Sequence, residues 1–445
     1  MKKLTLNQLY LQFIRTKRFY RSRYKSTKKH NNKSYLLAVK NRSIISKAKI
    51  EHLDAYKKIS LETIRLKIKN RQDTFKVKVP KVFSMYDAPE NVLNVINEIA
   101  LLTNYPHIKI IDIDHSSCIK HDLAAEILLA SAVMSLRSFK TKNSAKFRIK
   151  GTFPQDEKMC RLMRSIGIVN EIGSIKYQIR DKDKLRLFKR ESTLTEKLNI
   201  FGKDKKTRAT EDFTDHLNSC LSFINAKLDK LERDKIDKYL GEVLGNAEEH
   251  SGKKLWHIVG YLDAHNPDDI YTEIVIYNIG KSIKDTFDDK TDVPIVYDAL
   301  IEYINKHNHL LNDEQLTMVH ALQQNRSSKK TIEAIDRGQG TKYLIDLFHY
   351  LSDECNRINT LQKVNVKNGK PTMFILSGGA MLKFDGKYLP PMNDDEKMVY
   401  AFNKTNDLDI APDMRYTPAL KKSVFPGTVI YIKFPLHQKS IGLVN

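Results

Sequence analysis

Glu242, Asn246 and His250 recur four residues apart, so on a helix they stack along one face, a carboxylate one turn from an amide and two turns from an imidazole. An amide oxygen is a hard ligand for Mg²⁺, and a carboxylate beside it can polarise a water next to a terminal phosphate. Asn246 is therefore the candidate metal ligand and Glu242 the candidate catalytic base, with His250 a further contact on the same face. Solvated helix faces produce this spacing too, so its weight depends on the elements that position it.

The helix itself is marked by Ile236, Leu240, Val243, Leu244 and Ala247, which recur at three- and four-residue steps. A second amphipathic helix precedes it, with Leu217, Leu221, Ile224 and Leu228 at similar steps. Ser251-Gly252 stops the helix, and two alternating strands follow, around Leu255 to Leu262 and Ile270 to Asn278. The second strand runs into Asn278-Ile-Gly280-Lys-Ser282. Asp336-Arg-Gly-Gln-Gly-Thr341 then puts glycines at a helix start, where backbone NH groups and the helix dipole favour a phosphate; Arg326, Lys329, Lys330 and Arg337 lie beside it. A last strand, Val429 to Phe434, follows Pro426-Gly-Thr428.

In that order these stretches resemble the N, G1, G2 and final threonine-strand motifs of the gyrase, histidine-kinase, MutL and chaperone ATPases, the GHKL superfamily, over about residues 210–440. The resemblance implies an α+β fold whose C-terminal part is a Bergerat α/β sandwich, helices covering one face of a mixed sheet. It implies ATP and Mg²⁺ as ligands, held by Asn246, His250, Asn278, Gly280, Ser282, Arg337, Gly338, Gly340, Thr341 and Thr428. Residues 284–334, and 293–324 in particular, stand where the family has its ATP lid. Two positions depart from the family pattern: Asn278 replaces the aspartate that accepts a bond from the adenine amino group, and Ser282 replaces a glycine. An asparagine oxygen can accept the same bond without the strengthening charge.

Upstream, helices expected at 91–102, 122–137 and 156–166 alternate with strands at 108–113 and 145–150, which predicts a small α/β domain. Ile110 to Ala125 and Arg161 to Ile168 resemble the STAS-like domains of partner-switch regulators. Those domains commonly begin the helix with Asp-Ser-Ser-Gly and phosphorylate a serine there; the matching run is Asp122-Leu-Ala-Ala125, which has no hydroxyl. The domain therefore reads as a docking or dimerisation module. The expected organisation is a basic arm and helical lead-in (1–80), a STAS-like domain (81–179), a linker (180–209) and the ATP-binding domain (210–440).

Net charge is +23, and residues 1–50 supply 15 Lys or Arg with no Asp or Glu. Basic residues there interleave with Phe13, Phe19, Tyr20 and Tyr24, a mixture that can neutralise phosphates and stack on unpaired bases, or form a solvated arm against an acidic partner. Four scattered cysteines fit no zinc or redox motif. No apolar run is long enough to span a bilayer and no secretory signal opens the chain, so a cytoplasmic protein without a membrane partner is expected.

Three functions fit these features. The first is an ATP-driven conformational switch, hydrolysing slowly to ADP and phosphate and acting through protein partners, with homodimers possible, in bacterial stress or defence signalling. The second is a protein kinase of the anti-sigma or histidine-kinase type, against which stands the lack of an upstream His-bearing helical hairpin. The third is a nucleic-acid-engaging ATPase of the MutL kind, favoured by the basic start. Deleting residues 1–50 should weaken binding to both DNA and RNA and flatten its salt dependence, because fewer counterions are released. A filter-binding titration at several salt concentrations checks this, and equal affinity of the shortened chain would remove the arm from nucleic-acid recognition.

Overall fold

Alternation sets the architecture. In β8, Tyr271–Ile279, all but the first residue are buried, so both faces of the strand are covered. In the computed structural model the described residues are 51–62, 66, 68, 72–143, 147–174, 182–192, 205–224, 227–253, 255–266, 270–289, 294–323, 345, 348–349, 371–388 and 399–436. The chain is mixed α/β, and residues 49–445 cluster as one unit. Among the described residues no helix is long and apolar enough to cross a membrane.

The first layer contains β1 (Thr74–Lys78), β2 (Val82–Phe83), α1 (Pro89–Leu101), β3 (Ile110–Asp114), β4 (Lys120–His121), α2 (Leu123–Asn143), β5 (Arg148–Thr152), α3 (Glu157–Ser165) and α4 (Ile168–Glu171). β1, β3 and β5 form a parallel sheet in that order, and β2 pairs with β4. The layer therefore begins before residue 81. Residues 51–62, expected only as lead-in, also belong to it: Leu53, Tyr56 and Ile59 are fully buried in its core, and the Tyr56 and Ser131 hydroxyls lie 3.0 Å apart.

The second sheet is built from β6 (Leu185–Glu191), β7 (His257–Asp263), β8, β9 (Thr372–Gly378), β10 (Ala380–Phe384) and β11 (Phe425–Pro435). Its order is β10-β9-β11-β8-β7-β6 and every pairing is antiparallel, which corrects the expected mixed sheet. The tight β9–β10 connection allows nothing else for that pair. β6 lies inside the stretch expected to be a linker. Only Leu185 and Phe188 of its seven residues are buried, and Lys189, Arg190 and Glu191 are exposed, as suits a sheet edge.

One face of this sheet is covered by α5 (Lys205–Leu221), α6 (Lys230–His250), α7 (Ile283–Asp288), α8 (Pro294–His307) and α9 (Asp313–Ala321). Ile274, Ile276, Ile375 and Ile432 share a core with Leu240, Val243 and Leu244 of α6. The opposite face, carrying Val275, Tyr277, Leu376, Val429 and Tyr431, is buried against the first layer. The first layer, expected as a docking module, thus packs against the second sheet of its own chain, partly through the start of α2. The N-terminal amide of Leu123 donates to Glu273 Oε2 of β8 (2.8 Å), which also accepts from the Tyr431 hydroxyl (2.8 Å). Asp122 caps the same helix by accepting from Ala125 N (2.8 Å).

Behind that cap, Glu126 is fully buried; its Oε1 accepts from Ile168 N (2.8 Å), while Oε2 has only His115 Nε2 at 4.0 Å. Burial pushes the Glu126 carboxyl up to about 7, against the lowering effect of the Ile168 amide. A carboxyl raised in the fold keeps a proton that the unfolded chain has released. Its stabilisation is complete at acid pH, below its ordinary value of 4.5, and is lost as pH rises through about 7. Glu126→Gln should therefore gain stability relative to the parent between pH 5 and pH 8 in urea unfolding. A difference that is the same at both pH values would show that Glu126 is ionised throughout.

Candidate functional site

Helix α6 starts at a capping box: Asp229 Oδ1 accepts from Glu232 N and Glu232 Oε2 accepts from Asp229 N, both at 2.8 Å. Ile236, Leu240, Val243 and Leu244 point into the core. Each residue advances about 100° around the axis. Gly241 and Gly245 therefore face one flank, where a Cβ on Gly245 would lie 3.3 Å from Lys206 Nζ of α5, which packs over β6 and β7. Glu242 and Asn246 face the other flank, turned away from α5. Both are half-buried, and neither has a hydrogen bond or ion pair among the described residues. The side chain of His250 lies outside the described residues.

Below that flank, three polar side chains form a row across adjacent strands. Thr428 of β11 is the register partner of Asn278 on β8 and of Ser377 on β9. Strand alternation turns all three toward the helix layer, in line with Ile276, Ile430 and Ile375. The register shifts between Phe425 and Thr428, and Gly427 there has φ 140°, with Asn278 O 2.1 Å from where a Cβ would sit. Only glycine lets β11 enter the sheet so close to β8.

Ser377 accounts for the protons of this row. Its Oγ accepts from Ile283 N (2.8 Å), donates to Gly427 O (3.1 Å) and lies 2.8 Å from Thr428 Oγ1. All three bonds are satisfied together only if Thr428 donates to Ser377, which leaves Thr428 with lone pairs alone to offer a ligand. Asn278 is 6 % exposed, and its amide has no hydrogen-bond partner among the described residues. The amide is not among the buried polar atoms cut off from solvent, so it is open to a polar ligand and free to bond one.

The turn after β8 stitches this row to the end of α6. Lys281 N donates to Ser251 O (3.0 Å) and Gly280 N to Pro426 O (3.0 Å). Ser282 is a buried N-cap of α7, its Oγ accepting from Asp285 N (3.1 Å) while Asp285 Oδ2 accepts from Ser282 N (2.8 Å). The hydroxyl expected to line a ligand loop thus serves the next helix. Glu314 of α9 closes the far side, its Oε2 accepting from Gly379 N (2.9 Å); burial raises its carboxyl, opposed by that amide and by Lys284.

Sequence reasoning missed Ser377 and Glu314. The Ser-Gly-Gly break after an apolar run was the available signal for the serine, whereas Glu314 sat unmarked in a charged stretch. That stretch also corrects the expected lid. Leu311, Leu316, Met318, Val319 and Leu322 are buried in the core that holds α6, so residues 311–322 are a fixed wall. Arg326, Lys329, Lys330, Arg337, Gly338, Gly340 and Thr341 lie outside the described residues.

Among the described residues no group of three or more His, Cys, Asp or Glu could hold a metal ion by itself. An ion here would need oxygen ligands brought by its own ligand, beside the Asn246 amide. No protein-family model, curated protein or solved structure matches the chain.

Gly280 allows the junction between α6 and β8, because a Cβ there would sit 2.1 Å from Ser251 O, a backbone atom. Gly280→Ala should lower stability by about 1–3 kcal/mol through overpacking, read as a shifted denaturation midpoint. An unchanged midpoint would mean the junction is loose.

Proposed function

We propose that the chain binds a nucleoside triphosphate with Mg²⁺ and acts as a GHKL-type conformational switch. The observation that carries this reading is the Asn278–Thr428–Ser377 row. It is a largely buried, hydrogen-bonding shelf with an unpartnered amide, on the sheet face that α6 covers, and α6 offers a carboxylate and an amide one turn apart. The donor set fits such a ligand: the shelf takes the base, Asn246 supplies an oxygen to the ion between the phosphates, and Glu242 orients the water that attacks the terminal phosphate. The products of that step are the diphosphate and inorganic phosphate.

The fold offers a route from ligand to docking. Asn278 and Thr428 face the helix layer, while their neighbours Tyr277 and Val429 face the first layer. A ligand seated on this row bears on strands whose opposite face packs against the first layer, which links the site to the surface presented to a protein partner. A nucleic-acid-engaging ATPase is the second reading, favoured by the 15 basic residues of 1–50.

Two variants separate binding from chemistry. Asn246→Ala should weaken binding of Mg²⁺-ATP at least about tenfold, the worth of a lost charge-assisted contact, whereas Glu242→Gln should keep the affinity and lose about 10²–10⁴-fold in turnover. Calorimetry and phosphate release read the two effects. Equal affinity in the alanine variant overturns the assignment of α6, and unchanged turnover in the glutamine variant leaves a binding site without a base.

A further inference from the structure

The base-binding shelf carries one acceptor and one side chain that can both donate and accept. Thr428 Oγ1 has spent its proton on Ser377 and can only accept. The Asn278 amide, accessible and without a hydrogen-bond partner among the described residues, offers Nδ2–H groups as donors and Oδ1 as an acceptor. The two residues are register partners on adjacent strands, with Cβ atoms about 4.5–5.5 Å apart, within reach of one base edge.

A donor beside an acceptor is the complement of either purine. Adenine presents an acceptor at N1 next to a donor at the 6-amino group; guanine presents an acceptor at O6 next to a donor at N1–H. Adenine places its 6-amino group on Thr428 and N1 on Asn278 Nδ2; guanine, shifted by about one atom along its edge and met by a flipped amide, places N1–H on Thr428 and its 2-amino group on Asn278 Oδ1. A carboxylate at position 278 would make the shelf acceptor-only, so the amide is what removes the discrimination.

We infer that this site is a purine nucleotide site that accepts 6-amino and 6-oxo bases alike, binding ATP and GTP with comparable affinity. This rests on the nucleotide reading above and adds to it the identity of the base.

The test is calorimetric titration of the full chain with Mg²⁺-ATP and, separately, Mg²⁺-GTP, with Asn278→Leu as the variant. The expected result is dissociation constants within about tenfold of each other in the parent, and a loss of about tenfold or more for both nucleotides in the leucine chain, whose side chain keeps the volume and removes the bonds. A preference larger than tenfold for either nucleotide overturns the inference while leaving nucleotide binding intact. Equal affinities that survive in a folded Asn278→Leu chain overturn the role of the amide. Binding of neither nucleotide removes the nucleotide reading and this inference together. The comparison in the parent chain stands even if the variant does not fold.

Discussion

The second sheet is buried on both faces, and that constraint governs the rest of the molecule. Because the side-chain period along a strand is two, a slip of one residue in β8 would carry Tyr277 and Val275 into the helix layer and bring Ile274 and Ile276 against α2. Two different cores on the two faces make such a slip costly in both directions. The register that puts Asn278 opposite Thr428 is held by cores that touch neither side chain's polar atoms.

Polar groups inside this packing follow the same economy. Glu273, on the face turned to the first layer, takes the orphan amide at the start of α2 and the Tyr431 hydroxyl, so a carboxylate at the core is answered from two sides. Asp122, pushed up to about 6 by burial, answers the Ala125 amide of the same helix. The start of α2, the place where a phosphorylated serine would sit in the domains it resembles, is thereby enclosed.

On the helix side, polar groups gather only where the sheet ends. Asn278, Ser377 and Thr428 terminate three apolar rows, and Gly280 and Gly427 let backbone approach where a side chain would intrude. The shelf is rigid because Ser377 ties β9, β11 and the start of α7 through one oxygen. Rigid donors and acceptors give selectivity at little cost on binding, since their order was established during folding.

Much of the fold was legible in the sequence. The helix through Glu242 and Asn246, the strands at 257–263 and 271–279, the final strand after Thr428 and the α/β alternation upstream all follow from hydrophobic periodicity, a local property. Periodicity reports that a face is covered without saying by what. Hence β6 was hidden in a basic stretch whose partner strand lies some seventy residues away in the chain, and the wall of α8 and α9 was hidden in apparent charge. Of the site, sequence alone determined which residue types stand in which order: Glu242, Asn246, Asn278, Gly280 and Thr428. Only the tertiary structure decided that Ser282 caps a helix, that Ser377 takes the proton of Thr428, and that the Asn278 amide stays open to a ligand without a partner among the described residues. Those facts depend on which distant atoms meet across three strands, and no local pattern in a chain encodes the neighbours its side chains acquire when it folds.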